Sequence, residues 1–145
     1  MDEIRVGDQT VRFDRELTRQ AYSLIKRGGA DECGCSYCRN FSVQRSTVYP
    51  ASFLSILDRL GIDPDKEDEV YELGPAGGLL LYGGWLFFAG ELVKAGERRK
   101  NESGSEFQNH FTDARMLPKP SVDFGEHVLA VDFLTKLPWI IDGEP

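Results

Sequence analysis

The sequence predicts an α+β protein, with N-terminal helices packed on one face of a largely antiparallel β-sheet. After a short N-terminal hairpin, apolar residues recur at helical spacing as far as Leu60, whereas from Glu69 onward they alternate as in strands, and the connections are short and polar. The chain has 145 residues, 41% of them hydrophobic, with nine Phe, five Tyr and two Trp to fill an interior. That apolar content offsets the chain entropy lost on folding, and the length suits one core, so a single α+β domain over 1–145 is expected.

Ile4, Val6, Val11 and Phe13 alternate around Gly7-Asp8-Gln9, the pattern of a hairpin. Asp14 is placed to cap a helix whose stripe is Leu17, Ala21, Leu24 and Ile25, with Gly28-Gly29 as its stop. Ser36 to Gln44 reads as a short helix after a loop carrying Cys33 and Cys35. A further helix enters at Tyr49-Pro50, presents Phe53, Leu54, Ile56, Leu57 and Leu60, and closes at Gly61 before the turn Ile62-Asp63-Pro64-Asp65. Glu69 to Leu73 alternates as a strand, Gly74 to Gly78 is a flexible turn, and Leu79 to Val93 is one bent strand or a strand pair. Gly83-Gly84 within it marks a bulge or a close backbone approach. Asn101 to Ser105 is a polar loop, Glu106 to Phe111 a strand, Met116 to Ser121 coil and His127 to Leu134 a strand. Leu137 to Ile141 is expected to close a sheet edge.

Net charge is −7, from 24 acidic and 17 basic residues. An anionic duplex or lipid surface repels such a body unless one face is locally basic. The one basic run, Lys94, Arg98, Arg99 and Lys100, is interleaved with Glu97 and Glu102 and reads as a solvated turn; the acidic run Glu67-Asp68-Glu69 reads as a solvated face. Neither nucleic acid nor membrane is expected as a partner. Met1 to Arg5 lacks the basic and apolar regions of a signal peptide, and Leu79 to Val93 is too short and too glycine-broken to cross a bilayer as a helix. A cytoplasmic, thiol-reducing setting follows as the expectation.

The chemistry is concentrated in Cys33, Cys35 and Cys38, the three cysteines of the chain. Thiolates are strong zinc ligands, and one short loop supplies several at little cost in chain entropy. Gly34 frees the backbone between the first two, and a helix starting near Ser36 favours thiolate at its N-terminus. A structural zinc takes four protein ligands, and His110 or His127 is the available imidazole, His110 being the more polar candidate. An open fourth position filled by water is the other possibility. Zinc is therefore the expected cofactor, with Cys33, Cys35, Cys38 and His110 as ligands. Two rivals share these residues: Cys35 and Cys38 as a C-x-x-C pair in a thiol-dependent enzyme or redox switch, and packing beside Tyr37 and Phe41. An iron–sulfur cluster can also use three thiolates, though its familiar cysteine runs are spaced differently, and a cysteine nucleophile with a histidine and an acid such as Asp123 or Asp132 has no flanking signature. Tyr82 and Trp85, on either side of Gly83-Gly84, are candidates for a ligand platform, with a glycine-paired sheet core as the alternative. A protein or small molecule is the partner class these features suggest.

Four segments carry a resemblance: Cys33-Gly34-Cys35-Ser36-Tyr37-Cys38-Arg39-Asn40-Phe41, Phe53-Leu54 through Leu60-Gly61-Ile62-Asp63-Pro64, Tyr82-Gly83-Gly84-Trp85, and Leu137-Pro138-Trp139. Together they resemble a family of small, uncharacterised bacterial proteins with a C-x-C-x-x-C-R-N-F block. The similarity spans about 33–139. It implies a bacterial origin and brings no activity with it.

Overall fold

The first strands, β1 (Asp2–Val6) and β2 (Gln9–Phe13), form the expected hairpin, with Gly7 at φ +61 making the turn. The structure, a computed structural model, describes residues 1–96, 99–100 and 106–145. Asn101 to Ser105, and Glu97 and Arg98 of the basic run, lie outside the described residues.

Asp14 caps α1 (Arg15–Ser23) by accepting the Leu17 N–H at 3.0 Å. The helix stops at Ser23, earlier than the Gly28-Gly29 stop read from the sequence. Its buried face is Thr18, Ala21 and Tyr22, because the Thr18 hydroxyl accepts the Ala89 N–H and the Tyr22 hydroxyl donates to the Phe87 carbonyl at 2.7 Å; Leu24 is exposed. Gly28 and Gly29 instead begin a short helix, α2 (Gly29–Cys33). A Cβ on Gly29 would stand 2.3 Å from the Asp68 carbonyl oxygen, so glycine here serves close approach. α3 (Ser36–Val48) runs one turn beyond the expected Gln44, and α4 (Ala51–Leu60) closes at Gly61, φ +85, as expected.

The sheet is antiparallel at every pairing among the described residues, in the order β1-β2-β4-β7-β6-β5, with β3 also on β4. Its remaining members are β3 (Glu69–Ala76), β4 (Leu79–Lys94), β5 (Arg99–Lys100), β6 (Gln108–Asp113) and β7 (Val128–Leu137). β4 is a single 16-residue strand, paired with β7 along one side and with β3 then β2 along the other. The sheet curls enough for Gln9, at the start of β2, to reach β6, where its amide exchanges hydrogen bonds with the Phe111 backbone at 2.9 and 3.0 Å.

Three expectations about the sheet change. The register of β4 with β7 runs unbroken through Gly83 and Gly84, so of the two readings the close approach holds and the bulge does not; the irregularity is in β3, between Glu72 and Gly74. β3 continues through Gly74-Pro75, leaving Gly77-Gly78 as the hairpin turn. Pro138 to Ile141 do not form an edge strand; they leave the central β7 and pack on α3. α3 and α4 lie on one sheet face, where Phe41, Tyr49, Phe53, Phe107 and Phe133 form one aromatic nucleus, with Phe107 stacked on Phe133 at 5.8 Å. No helix among the described residues is long and apolar enough to cross a membrane.

Candidate metal centre

The cysteine loop is built by two helix ends meeting. α2 finishes at Gly34, whose φ of +66 is the left-handed conformation and whose N–H returns to the Ala30 carbonyl at 3.2 Å. A Cβ there would have open space, so it is the backbone conformation that asks for glycine. The reversal delivers Cys35 to the N-cap of α3, where its Sγ accepts the Cys38 N–H at 3.5 Å, drawing the two sulfurs together by ordinary capping geometry. Cys33, ending α2, completes the group: the three Sγ atoms lie within 4.8 Å of one another. Cys33 and Cys35 are exposed and Cys38 is buried, so the last forms the floor of a surface cluster.

The environment separates the thiols electrostatically. The Cys38 N–H, followed by the neighbouring sulfurs, holds the Cys35 thiol below its ordinary value. Burial first, and then the adjoining sulfurs, push Cys38 up. A cation among them reverses the second effect, because a coordinated thiol is deprotonated outright.

What holds α2 against α3 is a buried ion pair that the sequence does not mark. Arg45 of α3 donates to Glu67 from Nε at 2.9 Å and from an Nη at 3.1 Å, and its other Nη reaches Asp31 of α2 at 3.2 Å. Glu67 is buried, not part of a solvated acidic face, and its carboxylate accepts the Ala30 N–H at 3.2 Å while its carbonyl accepts that of Gly29 at 2.6 Å. Glu67 thus supplies the cap that Gly28, lacking a side chain, cannot. Burial pushes its carboxyl up to about 7, against the pull of Arg45 and of the Ala30 N–H.

The other residues singled out from the sequence lie elsewhere. His110 on β6 aligns with Asp132 of β7 and Trp85 of β4, while their neighbours Asn109, Phe133 and Gly84 align on the alternate face; Phe133 stacks on Phe41 of α3, so His110 points away from the cysteine side. There its Nε2 is 3.0 Å from the Gly96 carbonyl and its Nδ1 3.3 Å from the Thr112 hydroxyl. His127 is exposed, 3.9 Å from Glu91. Neither imidazole joins the sulfurs, so the structure assembles neither a Cys3His set nor a cysteine–histidine nucleophile among the described residues.

Tyr82 and Trp85 do not form a platform: three positions apart on one strand, they face opposite ways. Tyr82 is fully buried, donating to the Tyr37 carbonyl at 2.9 Å and accepting from Asn40 at 3.3 Å. Trp85, half-buried, donates to Asp68 at 3.1 Å. Asn40 in turn bonds the Pro138 carbonyl and the Ile140 N–H, and Tyr37 meets Trp139 edge-on at 5.7 Å. The Tyr-x-x-Asn-Phe spacing of the cysteine block therefore has a packing role, tying α3 to β4 and to the chain leaving β7. Cys33 also borders a cleft of about 670 Å³ with Tyr22, Ile25, Phe87 and Phe124 along its apolar side.

The cluster is a surface group of three cysteine sulfurs in an arrangement able to hold a metal ion. Comparison with family models, curated proteins and solved structures finds no match for the chain.

Proposed function

We propose that the chain is a non-enzymatic, zinc-binding domain in which Cys33, Cys35 and Cys38 hold the ion, and that the loop so fixed serves recognition of a protein or small-molecule partner. The observation that carries this reading is the convergence of three sulfurs within 4.8 Å. Sulfurs bound to one zinc at about 2.3 Å stand about 3.8 Å apart, so small side-chain rotations close the set. Water or a partner's donor takes the fourth position. The cleft beside Cys33 offers a place for a small ligand. A reducing cytoplasm keeps the thiols available, the charge of −7 disfavours nucleic acid and anionic membrane, and kinship with the bacterial family of the C-x-C-x-x-C-R-N-F block belongs to the same proposal.

Elemental analysis of protein purified without a histidine tag is expected to give about one zinc per chain, and a strong chelator to lower the melting temperature by about 5 °C or more. Metal-free protein whose melting temperature ignores chelator overturns the reading.

A second reading, a thiol-dependent enzyme or redox switch using Cys35 and Cys38, is favoured by the contrast between an exposed, N–H-stabilised Cys35 and a buried Cys38. It predicts that Cys35 alkylates at least about tenfold faster than Cys38 in the folded, metal-free protein at pH 7. Folded protein in which all three thiols resist alkylation removes it.

A further inference from the structure

We infer that the three sulfurs make a complete site for trivalent arsenic, which takes three thiolates and needs no fourth donor, and that arsenite displaces zinc from it. This rests on the metal reading above and names the ion the donor set suits best. The first support is the donor count. Three thiolates converge, and no carboxylate or imidazole joins them among the described residues. Zinc there lacks a fourth protein ligand and so keeps an exchangeable position, whereas a trigonal ion has its full complement.

The second support is charge. Three thiolates with Zn²⁺ leave a net charge of −1, with Cu⁺ a net charge of −2, and with trivalent arsenic a neutral group. One of the three sulfurs belongs to buried Cys38, where uncompensated charge is costly, and Glu32 lies next to Cys33 in a chain of net charge −7. Neutrality favours arsenic over both metals. The third support is preorganisation: the Gly34 reversal, the Cys35 cap and the Arg45–Glu67 pair hold the two helix ends before any ion arrives, so little ordering remains for binding to impose.

The exchange balances without electron transfer. Three As–S bonds form and three As–O bonds of arsenous acid break. The three hydroxides leave as water with three protons, drawn from the solvent in the zinc-loaded protein and from the thiols in the metal-free protein, while zinc departs as its aquo ion.

The test is titration of the zinc-loaded full chain with arsenite, reading zinc release with a chromogenic indicator and sulfur-to-arsenic absorbance in the near ultraviolet. A parallel titration uses metal-free protein. One zinc released per arsenite, with a 1:1 end point in both titrations, is expected. Cys33→Ser, which changes an exposed position, should weaken arsenite binding at least about tenfold by leaving two sulfurs; Cys35→Ser should do the same. Zinc retained at tenfold excess arsenite overturns the inference and leaves the zinc reading standing. So does a Cys33→Ser protein that binds arsenite as tightly as the parent. Displacement by cuprous ion under anaerobic conditions, but not by arsenite, overturns the arsenic assignment. Uptake of neither zinc nor arsenite removes both readings, and arsenite uptake by a protein that never holds zinc removes the zinc reading and the displacement with it, leaving only the three-sulfur arsenic site.

Discussion

Arg45→Met should destabilise the protein by about 3–5 kcal/mol at pH 8, the usual cost of leaving a buried charge without its partner. Glu67 then sits fully buried with only the Ala30 N–H to answer its carboxylate. The loss should shrink at acid pH, and the sign follows from the direction of the shift. Burial raises the folded-state carboxyl from an ordinary 4.5 to about 7. Between those values the native protein keeps a proton that the unfolded chain has given up, so the associated stability is present below about 4.5 and is lost as pH rises through 7. Removing Arg45 removes a group that pulls the value down, so the window moves upward and the variant recovers most at pH 5. Urea unfolding at pH 5 and pH 8 measures this, and equal losses at both would show that Glu67 is not the group left stranded. Because the pair clamps α2 to α3, zinc affinity should also fall by roughly 10–100-fold, the range seen when groups supporting metal ligands are removed. Glu67→Gln in the Arg45→Met background should restore part of the stability, since a neutral amide is cheaper to bury than a carboxylate.

The cysteine cluster was legible because its cause is local: five intervening backbone steps, one left-handed glycine and one helix start bring the sulfurs together, and all are written between Cys33 and Cys38. Helix α4 was legible for the same reason, its apolar face and its Gly61 stop lying in one window. What was hidden depends on residues distant in the chain. Glu67 looks like a member of a solvated acidic run until the chain passes α2 and the carboxylate finds Ala30 and Arg45, 37 and 22 residues away. His110 was attractive as a ligand by residue type alone; strand alternation, which fixes its face, becomes decisive only once the register with Asp132 is known. Gly28-Gly29 reads as a helix stop in sequence, yet the same residue type begins α2 because Glu67 and the Asp68 carbonyl press against it. Tyr82 reads from the sequence as a candidate for a ligand platform or a core residue, and its partners, Asn40 and the Tyr37 carbonyl, which decide for the core, sit on a helix more than forty residues earlier.

Phe133→Ala should cost about 3–5 kcal/mol, because its ring is the centre of the aromatic nucleus and leaves a cavity that its four rigid ring neighbours cannot collapse to fill. Phe41, Tyr49, Phe53 and Phe107 all lie within 6.4 Å of it, centroid to centroid, and Gly84 is its direct cross-strand partner. The last contact explains one glycine of the central pair. A Cβ on Gly84 would meet the Phe133 ring at 2.8 Å and the Glu69 carbonyl at 2.4 Å, just as one on Gly83 would meet the Tyr71 ring at 2.5 Å. Each glycine is thus roofed by an aromatic ring from a neighbouring strand. Gly84→Ala should therefore cost about 1–3 kcal/mol by overpacking, but less in a Phe133→Ala background, where the ring is gone and the added methyl enters the void. A double-mutant cycle in urea should show a coupling of about 1 kcal/mol in that direction, the remaining cost coming from the Glu69 carbonyl. Strict additivity would mean that the ring does not sit over the glycine. Because Phe133 stacks on Phe41, three residues beyond Cys38 on α3, loosening the nucleus should also unseat the floor of the cysteine cluster. Weaker zinc retention in Phe133→Ala, under conditions where the variant is still folded, would tie the metal centre to the sheet beneath it.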